Sequence, residues 1–325
     1  MTHPTPSEFA RLAKRWSVVP VWQEITSDFE TPVSAFTKMA LDRPESSHAC
    51  LLESVEGGER VARYSFLAAS PTSVFECRGN QVQIREGGEL VRSQKVADPL
   101  KALERWTGAW KGPDLPGLPR FYGGAVGYLG YGVAGMIEPR LAPKPARRPA
   151  HGRAKDDLGA PDIVMMRADR VVIFDHVAHK ILVVRSVRPG PRPMEAYRRA
   201  VQEIETTVRR LAAPLPWTPR HDTRRLPLRR WRSNLEPGRF QKMVKRVKRY
   251  IEAGDIIQAV VSQRFRAPSR THPFQVYRAL RVLNPSPYMY YLRAGAHTLV
   301  GSSPEILVRK EHDHVQLRPI AGTRR

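Results

Sequence analysis

The stretch His48-Ala49-Cys50-Leu51-Leu52-Glu53-Ser54-Val55 decides how the chain is read. It is short and apolar, and it opens a series. Residues 60–69, 73–78 and 81–85 repeat the strand-like pattern, punctuated by Gly57-Gly58, Pro71 and Gly79-Asn80. Glycine, proline and asparagine break strands and close turns. Four strands joined by such short connections predict an antiparallel meander or a run of hairpins.

Beyond this series, residues 121–132 carry Gly123, Gly124, Gly127, Gly130 and Gly132. The density superficially suggests a nucleotide-binding loop, but no Lys-Ser/Thr follows and no helix is announced. The run instead predicts a strand in close backbone contact with its neighbour. Apolar strands follow at 163–166, 170–175 and 180–187. A helix is predicted over 194–211, where Tyr197, Val201, Ile204, Val208 and Leu211 recur every three or four residues. Residues 212–232, with Pro214, Pro216, Pro219 and Pro227, read as a linker. The chain therefore divides into a first region, 1–211, a linker, 212–232, and a second region, 233–325.

In the second region Phe240, Val244, Val247 and Ile251 form an apolar stripe on a basic helix that Gly254 ends. Residues 255–266 alternate, with Ile257, Ala259, Val261 and Phe265 on one side and Gln258, Val260, Ser262 and Arg264 on the other. That period predicts a strand with one core face and one partly polar face. A helix over 273–283 stops at Asn284-Pro285-Ser286-Pro287, and strands are predicted at 288–293, 298–301, 305–310 and 315–319.

Composition excludes several function classes. The 325 residues are 41% hydrophobic, enough for a sizeable core. The net charge of +23, from 54 Lys+Arg against 31 Asp+Glu, would suit a polyanion. The basic residues are spread along the chain, however, apart from Pro-rich patches at 144–155 and 220–232, and no nucleic-acid-binding pattern accompanies them. No nucleic-acid partner is expected. Cys50 and Cys77 lack paired-ligand spacing, so neither disulfides nor zinc are expected, and a reducing cytoplasm fits. Residues 1–21, with Glu8, Arg11, Lys14 and Arg15, do not form a signal peptide. No segment approaches the ~20 apolar residues that span a bilayer, so no membrane association is expected.

Four motifs then carry a resemblance: Gly254-Asp255-Ile256-Ile257-Gln258, Ser262-Gln263-Arg264-Phe265, Gly301-Ser302-Ser303-Pro304-Glu305 and Pro319-Ile320-Ala321-Gly322-Thr323-Arg324. Each is weak alone; in this order they resemble the chorismate-utilising enzyme family. The fold so implied is α+β, with mostly antiparallel sheets around a central cleft and helices outside. The resemblance makes Glu305 the acid beside the leaving ring hydroxyl, a role that requires a proton near neutral pH and is favoured by burial. It makes Gly322 and Thr323 chorismate-binding donors. Gln258 stands where water-adding relatives carry a basic lysine; a neutral amide cannot be that base, which fits ammonia as nucleophile. Ala321 stands where the aminodeoxychorismate synthase branch carries a nucleophilic lysine.

These features resemble the anthranilate synthase branch, in which chorismate and ammonia give anthranilate and pyruvate. Leu51-Leu52-Glu53-Ser54 and Asn284-Pro285-Ser286-Pro287-Tyr288-Met289 resemble that branch's two tryptophan-binding motifs. The resemblance implies an effector site made of Leu52, Glu53, Ser54, Pro287, Tyr288 and Met289, and tryptophan as feedback inhibitor. It implies a glutamine amidotransferase component II as ammonia source, since nothing here resembles a Cys-His glutaminase. It also implies Mg2+, whose ligands in the family lie past the Gly-Thr-Arg motif. A C-terminally truncated, inactive and poorly soluble chain with open strand edges is therefore expected. Aminodeoxychorismate synthase component I and a non-catalytic tryptophan-binding fragment remain the alternatives.

Overall fold

The near-continuous apolar runs at 170–175 and 180–187 are explained by a sheet covered on both sides. The computed structural model describes residues 1–42, 44, 47–54, 63–108, 110–141, 158–216 and 231–319. Its strands are β1 (Thr2–His3), β2 (Val19–Thr26), β3 (His48–Glu53), β4 (Tyr64–Ala69), β5 (Ser73–Arg78), β6 (Gln81–Glu86), β7 (Glu89–Lys95), β8 (Gly124–Leu129), β9 (Ile163–Ala168), β10 (Arg170–Asp175), β11 (Lys180–Val187), β12 (Arg232–Ser233), β13 (Phe265–Arg266), β14 (Tyr288–Ala294), β15 (His297–Ser303), β16 (Arg309–Glu311) and β17 (His314–Gln316). Two compact units result, one of Met1–Thr218 with Pro273–Arg325 and one of Pro219–His272.

The first unit holds an eight-stranded sheet, ordered β1-β2-β11-β10-β4-β3-β14-β15, and a five-stranded sheet, ordered β7-β6-β5-β9-β8. The β10–β11 and β3–β14 ladders are antiparallel, as are β5–β9 and β8–β9. Val172, Phe174, Ile181 and Val183 pack on one side against Tyr197 and Ile204 of the helix Pro193–Ala212. Val171, Ile173, Leu182 and Val184 pack on the other against Val164 and Met166 of the second sheet. With both faces buried, neither can be polar, so these strands lose the period of two. The result is the α+β class, as the sequence led us to expect.

The glycine-dense run is strand β8, and Gly127 shows why. A Cβ there would fall 1.8 Å from the Val164 carbonyl oxygen, so a side chain cannot occupy this crossing with β9. Helices Pro193–Ala212 and Pro273–Leu283 agree with the periodicity. The first starts with proline, places Glu195 in its first turn and Arg209 and Arg210 in its last, in keeping with the helix dipole.

In the unit Pro219–His272, the helix Arg239–Glu252 ends as expected, with Gly254 in the left-handed region at φ 78°. The strand predicted over 255–266 is not formed. Only Phe265–Arg266 is extended and paired, with Arg232–Ser233. Ile257 and Val260, assigned to opposite sides of that strand, are 96% and 89% exposed. Alternation alone does not make a strand: its backbone groups need a neighbouring ladder, and among the described residues of this unit only β12 supplies one. Likewise the strands predicted at 305–310 and 315–319 shrink to the ribbon β16–β17. The basic patches at 144–155 and 220–232 fall mainly outside the described residues.

Candidate functional site

The pairing of β3 with β14 builds the site. Met289 stands opposite Glu53 and Tyr290 opposite Leu52. Ser54 therefore leaves β3 at the end where Pro287 enters β14. Leu52, Glu53, Ser54, Pro287, Tyr288 and Met289 all line one cavity of about 1370 Å³. The six residues proposed from two distant motifs thus share a single space in the first unit.

The two sides of β3 have different duties. Ala49 and Leu51 enter the core with Phe36, Phe274, Tyr277 and Tyr291. Phe274 stacks on Phe36 at 5.0 Å and meets Tyr291 edge-on at 5.2 Å, which seats the helix Pro273–Leu283 on the sheet. Glu53 lies on that same side and is only 4% exposed. Tyr277 donates its hydroxyl to Glu53 Oε2, and Arg281 reaches both carboxylate oxygens at 3.2 Å. Burial, and then the Glu53 carboxylate, push the Tyr277 hydroxyl far above its usual range, so it stays a donor. Glu53 is thus a buried hub between β3 and the helix, with its carboxylate already engaged.

The other walls come from segments that the sequence did not single out. Asp114, Arg120, Phe121 and Tyr122 line the cavity from the Pro-rich segment before β8. Phe121 meets Phe66 edge-on at 5.4 Å, and Tyr122 Oη donates to the Pro113 carbonyl at 2.8 Å. Burial pushes the Tyr122 hydroxyl up to about 12. Arg63 forks onto Asp175 at 2.8 Å. Burial alone would raise the Asp175 carboxyl, but Arg63 and the amides of Val177 and Ala178 outweigh it and hold the carboxyl below its ordinary value. The ribbon β16–β17 adds Arg309, Glu311 and Gln316, and Arg120 pairs with Glu311.

The Gly-Ser-Ser-Pro-Glu motif borders the same space. Gly301 lies opposite Tyr290 in the β14–β15 ladder, and a Cβ at Gly301 would sit 2.1 Å from the Tyr290 ring. The glycine therefore lets that ring, which lines the cavity, lie flat on the strand. Ser302 Oγ donates to the Asn284 carbonyl at 2.7 Å, tying this motif to the turn that precedes β14. Glu305 is half-buried just beyond β15; Ser303 Oγ donates to its backbone carbonyl at 2.9 Å, and its neighbour Ile306 lines the cavity. Gln258 belongs to the other unit and is exposed there. Gly322 and Thr323 lie outside the described residues. Among the described residues no group of three or more histidine, cysteine, aspartate or glutamate side chains could hold a metal ion.

A model of the family described as chorismate binding enzyme matches residues 47–325. The chain belongs to the chorismate binding enzyme family. Its similarity to family members is spread over the whole sequence. It is 39% identical over 331 residues to anthranilate synthase component 1 of Acetivibrio thermocellus, covering 100% of this chain and 64% of the relative. It is 40% identical to the Pseudomonas putida protein of the same name, covering 98% of this chain and 62% of the relative. The crystal structure of anthranilate synthase component I from Streptococcus pneumoniae TIGR4 superposes with a TM-score of 0.61 at 29% identity, over 78% of this chain and 53% of that one. This member of the family thus spans somewhat under two thirds of the curated relatives' length.

Proposed function

We propose that the chain is the effector-binding portion of an anthranilate synthase component I, with tryptophan held in the β3–β14 cavity as feedback inhibitor. The observation that carries this reading is the meeting of Leu52–Ser54 with Pro287–Met289 in one cavity, in a chain similar to proteins of that name. The cavity suits an aromatic amino acid. It joins apolar side chains such as Leu52, Phe66 and Met289 to charged and hydroxylic groups at Ser54, Arg63 and Asp114.

The reaction of the whole enzyme is chorismate plus ammonia giving anthranilate and pyruvate, a lyase reaction, with ammonia delivered by a glutamine amidotransferase component II. In this reading Glu305 is the acid, Gln258 is a neutral amide that cannot activate water, which fits ammonia as nucleophile, and Gly322 and Thr323 bind chorismate. The described residues give the magnesium ion of this chemistry no ligand set. The chain alone is inactive in this proposal. The support is that Gln258 is exposed and Glu305 only half-buried, whereas the chemistry calls for a closed, desolvated site. The compartment is the cytoplasm; Cys50 and Cys77 are buried free thiols, pushed by burial to about 12 and about 11. Among the described residues no helix is long and apolar enough to cross a membrane.

Equilibrium dialysis of the chain against tryptophan and chorismate together tests this function. Tryptophan should be retained and chorismate should pass. Retention of chorismate with tryptophan left free would overturn it.

A further inference from the structure

Away from the effector cavity, a second cleft of about 310 Å³ opens where the start of β5, the β9–β10 corner, the end of β11 and the helix Pro193–Ala212 come together. Arg167 of β9 lines it and is 7% exposed. Its guanidinium lies 4.8 Å from the centre of the Trp106 ring and 5.0 Å from that of Trp110. One of its N–H groups donates to the Trp106 carbonyl at 3.0 Å. Arg188, exposed just after β11, sits over the same Trp110 ring at 5.8 Å.

The other cations of the cleft are neutralised locally. Arg185 pairs with both Asp169 and Glu203, the latter shared with Arg170 outside the cleft, and Arg199 lies 3.9 Å from Glu195. Among the described residues Arg167 and Arg188 take part in no such pair. The cleft's remaining carboxylate, Glu86, is exposed at its rim. A guanidinium has five N–H donors, and this one is clamped by two indoles with one donor engaged among the described residues. Burying such a charge beside a second cation is costly unless an anion meets it.

We infer that this cleft binds a small oxyanion, the carboxylate or phosphate group of a metabolite, with Arg167 as a pre-set fork and Arg188 as the second, exposed cation. The uncompensated charge shows in Arg167 itself. Burial, and then repulsion from Arg188, hold its pKa below the ordinary value against the smaller pull of Asp169 and Glu86. Arg167 supplies geometry because burial and stacking between two indoles leave it little freedom; Arg188, exposed at the rim, supplies charge.

Calorimetric titration of the chain with inorganic phosphate, and separately with acetate, at ionic strength held constant with chloride, tests the assignment. Saturable binding of at least one anion is expected. It should weaken by about tenfold or more in Arg188→Met, the loss of one charge-assisted contact, and tighten in Glu86→Gln. Both replaced residues are exposed, so folding is not at stake. Arg92→Met, on the exposed strand β7, should bind like the parent. Binding of phosphate alone assigns a phosphorylated ligand, and binding of acetate alone a carboxylic acid. No saturable binding of either anion, or equal affinity in the parent and Arg188→Met, overturns the inference.

Discussion

Tyr277 donates its hydroxyl to the carboxylate of Glu53 across 224 residues of sequence, and both groups are buried. This bond links the helix Pro273–Leu283 to the strand that carries the Leu-Leu-Glu-Ser motif. Ligand-induced movement of β3 would therefore be felt by that helix, and movement of the helix by the cavity.

Tyr277→Phe keeps the ring in its aromatic cluster and removes only the donor. Leaving a buried carboxylate with Arg281 as its remaining partner should cost about 1.5–3 kcal/mol in urea unfolding. Arg281→Met should cost at least as much, because it takes the counter-ion from a carboxylate that is only 2% exposed. Equal stability of Tyr277→Phe and the parent would mean that the hydroxyl does not hold the helix.

Gly301→Ala should act on the cavity more than on the fold. The new methyl meets the outer end of the Tyr290 ring, which can swing away, rather than backbone. Tryptophan affinity should fall several-fold while the unfolding midpoint changes little. An unchanged affinity would separate Tyr290 from the effector site.

Gly127→Ala meets backbone, the Val164 carbonyl, and cannot be relieved in the same way. The β8–β9 ladder should open at a cost of about 3 kcal/mol or more. Gly108→Ala, in a helix with nothing within 4 Å of the new atom, should be neutral or slightly stabilising. Thermal melts of the pair give the comparison.

Acidification should release the Arg63–Asp175 pair. The Asp175 carboxyl is lower in the folded chain than its ordinary 3.8, so its contribution is present above that value and is lost as pH falls below it. Asp175→Asn should be less stable than the parent at pH 6, and the gap should narrow toward pH 3. A gap that stays constant would show that Asp175 contributes through packing alone.

Much of the fold could be read from turn residues. Gly79-Asn80 marks the β5–β6 hairpin, and the period of Tyr197, Ile204 and Leu211 marks a helix face that is indeed buried. Strand β7 gave no signal because every residue in it is exposed. Residues 255–266 gave a false one: alternation reports which faces could be buried, whereas pairing depends on what lies alongside. The meeting of Leu52–Ser54 with Pro287–Met289 in one cavity was legible because both are continuous motifs. Its far wall was not, since Asp114, Arg120 and Phe121 lie on an aperiodic segment positioned by tertiary contacts such as the Phe66–Phe121 pair. The engagement of Glu53 by Tyr277 and Arg281 likewise depends on helix placement, which spacing along the chain does not disclose.

In the proposed function the β3–β14 cavity is an assembled tryptophan site. Isothermal titration of tryptophan into the chain and into Ser54→Ala tests it most directly. Saturable one-to-one binding to the parent is expected, with at least about tenfold weaker binding to Ser54→Ala from loss of a hydrogen bond to a charged ligand group. Absence of saturable binding to the parent, or equal affinity in the two proteins, would contradict it.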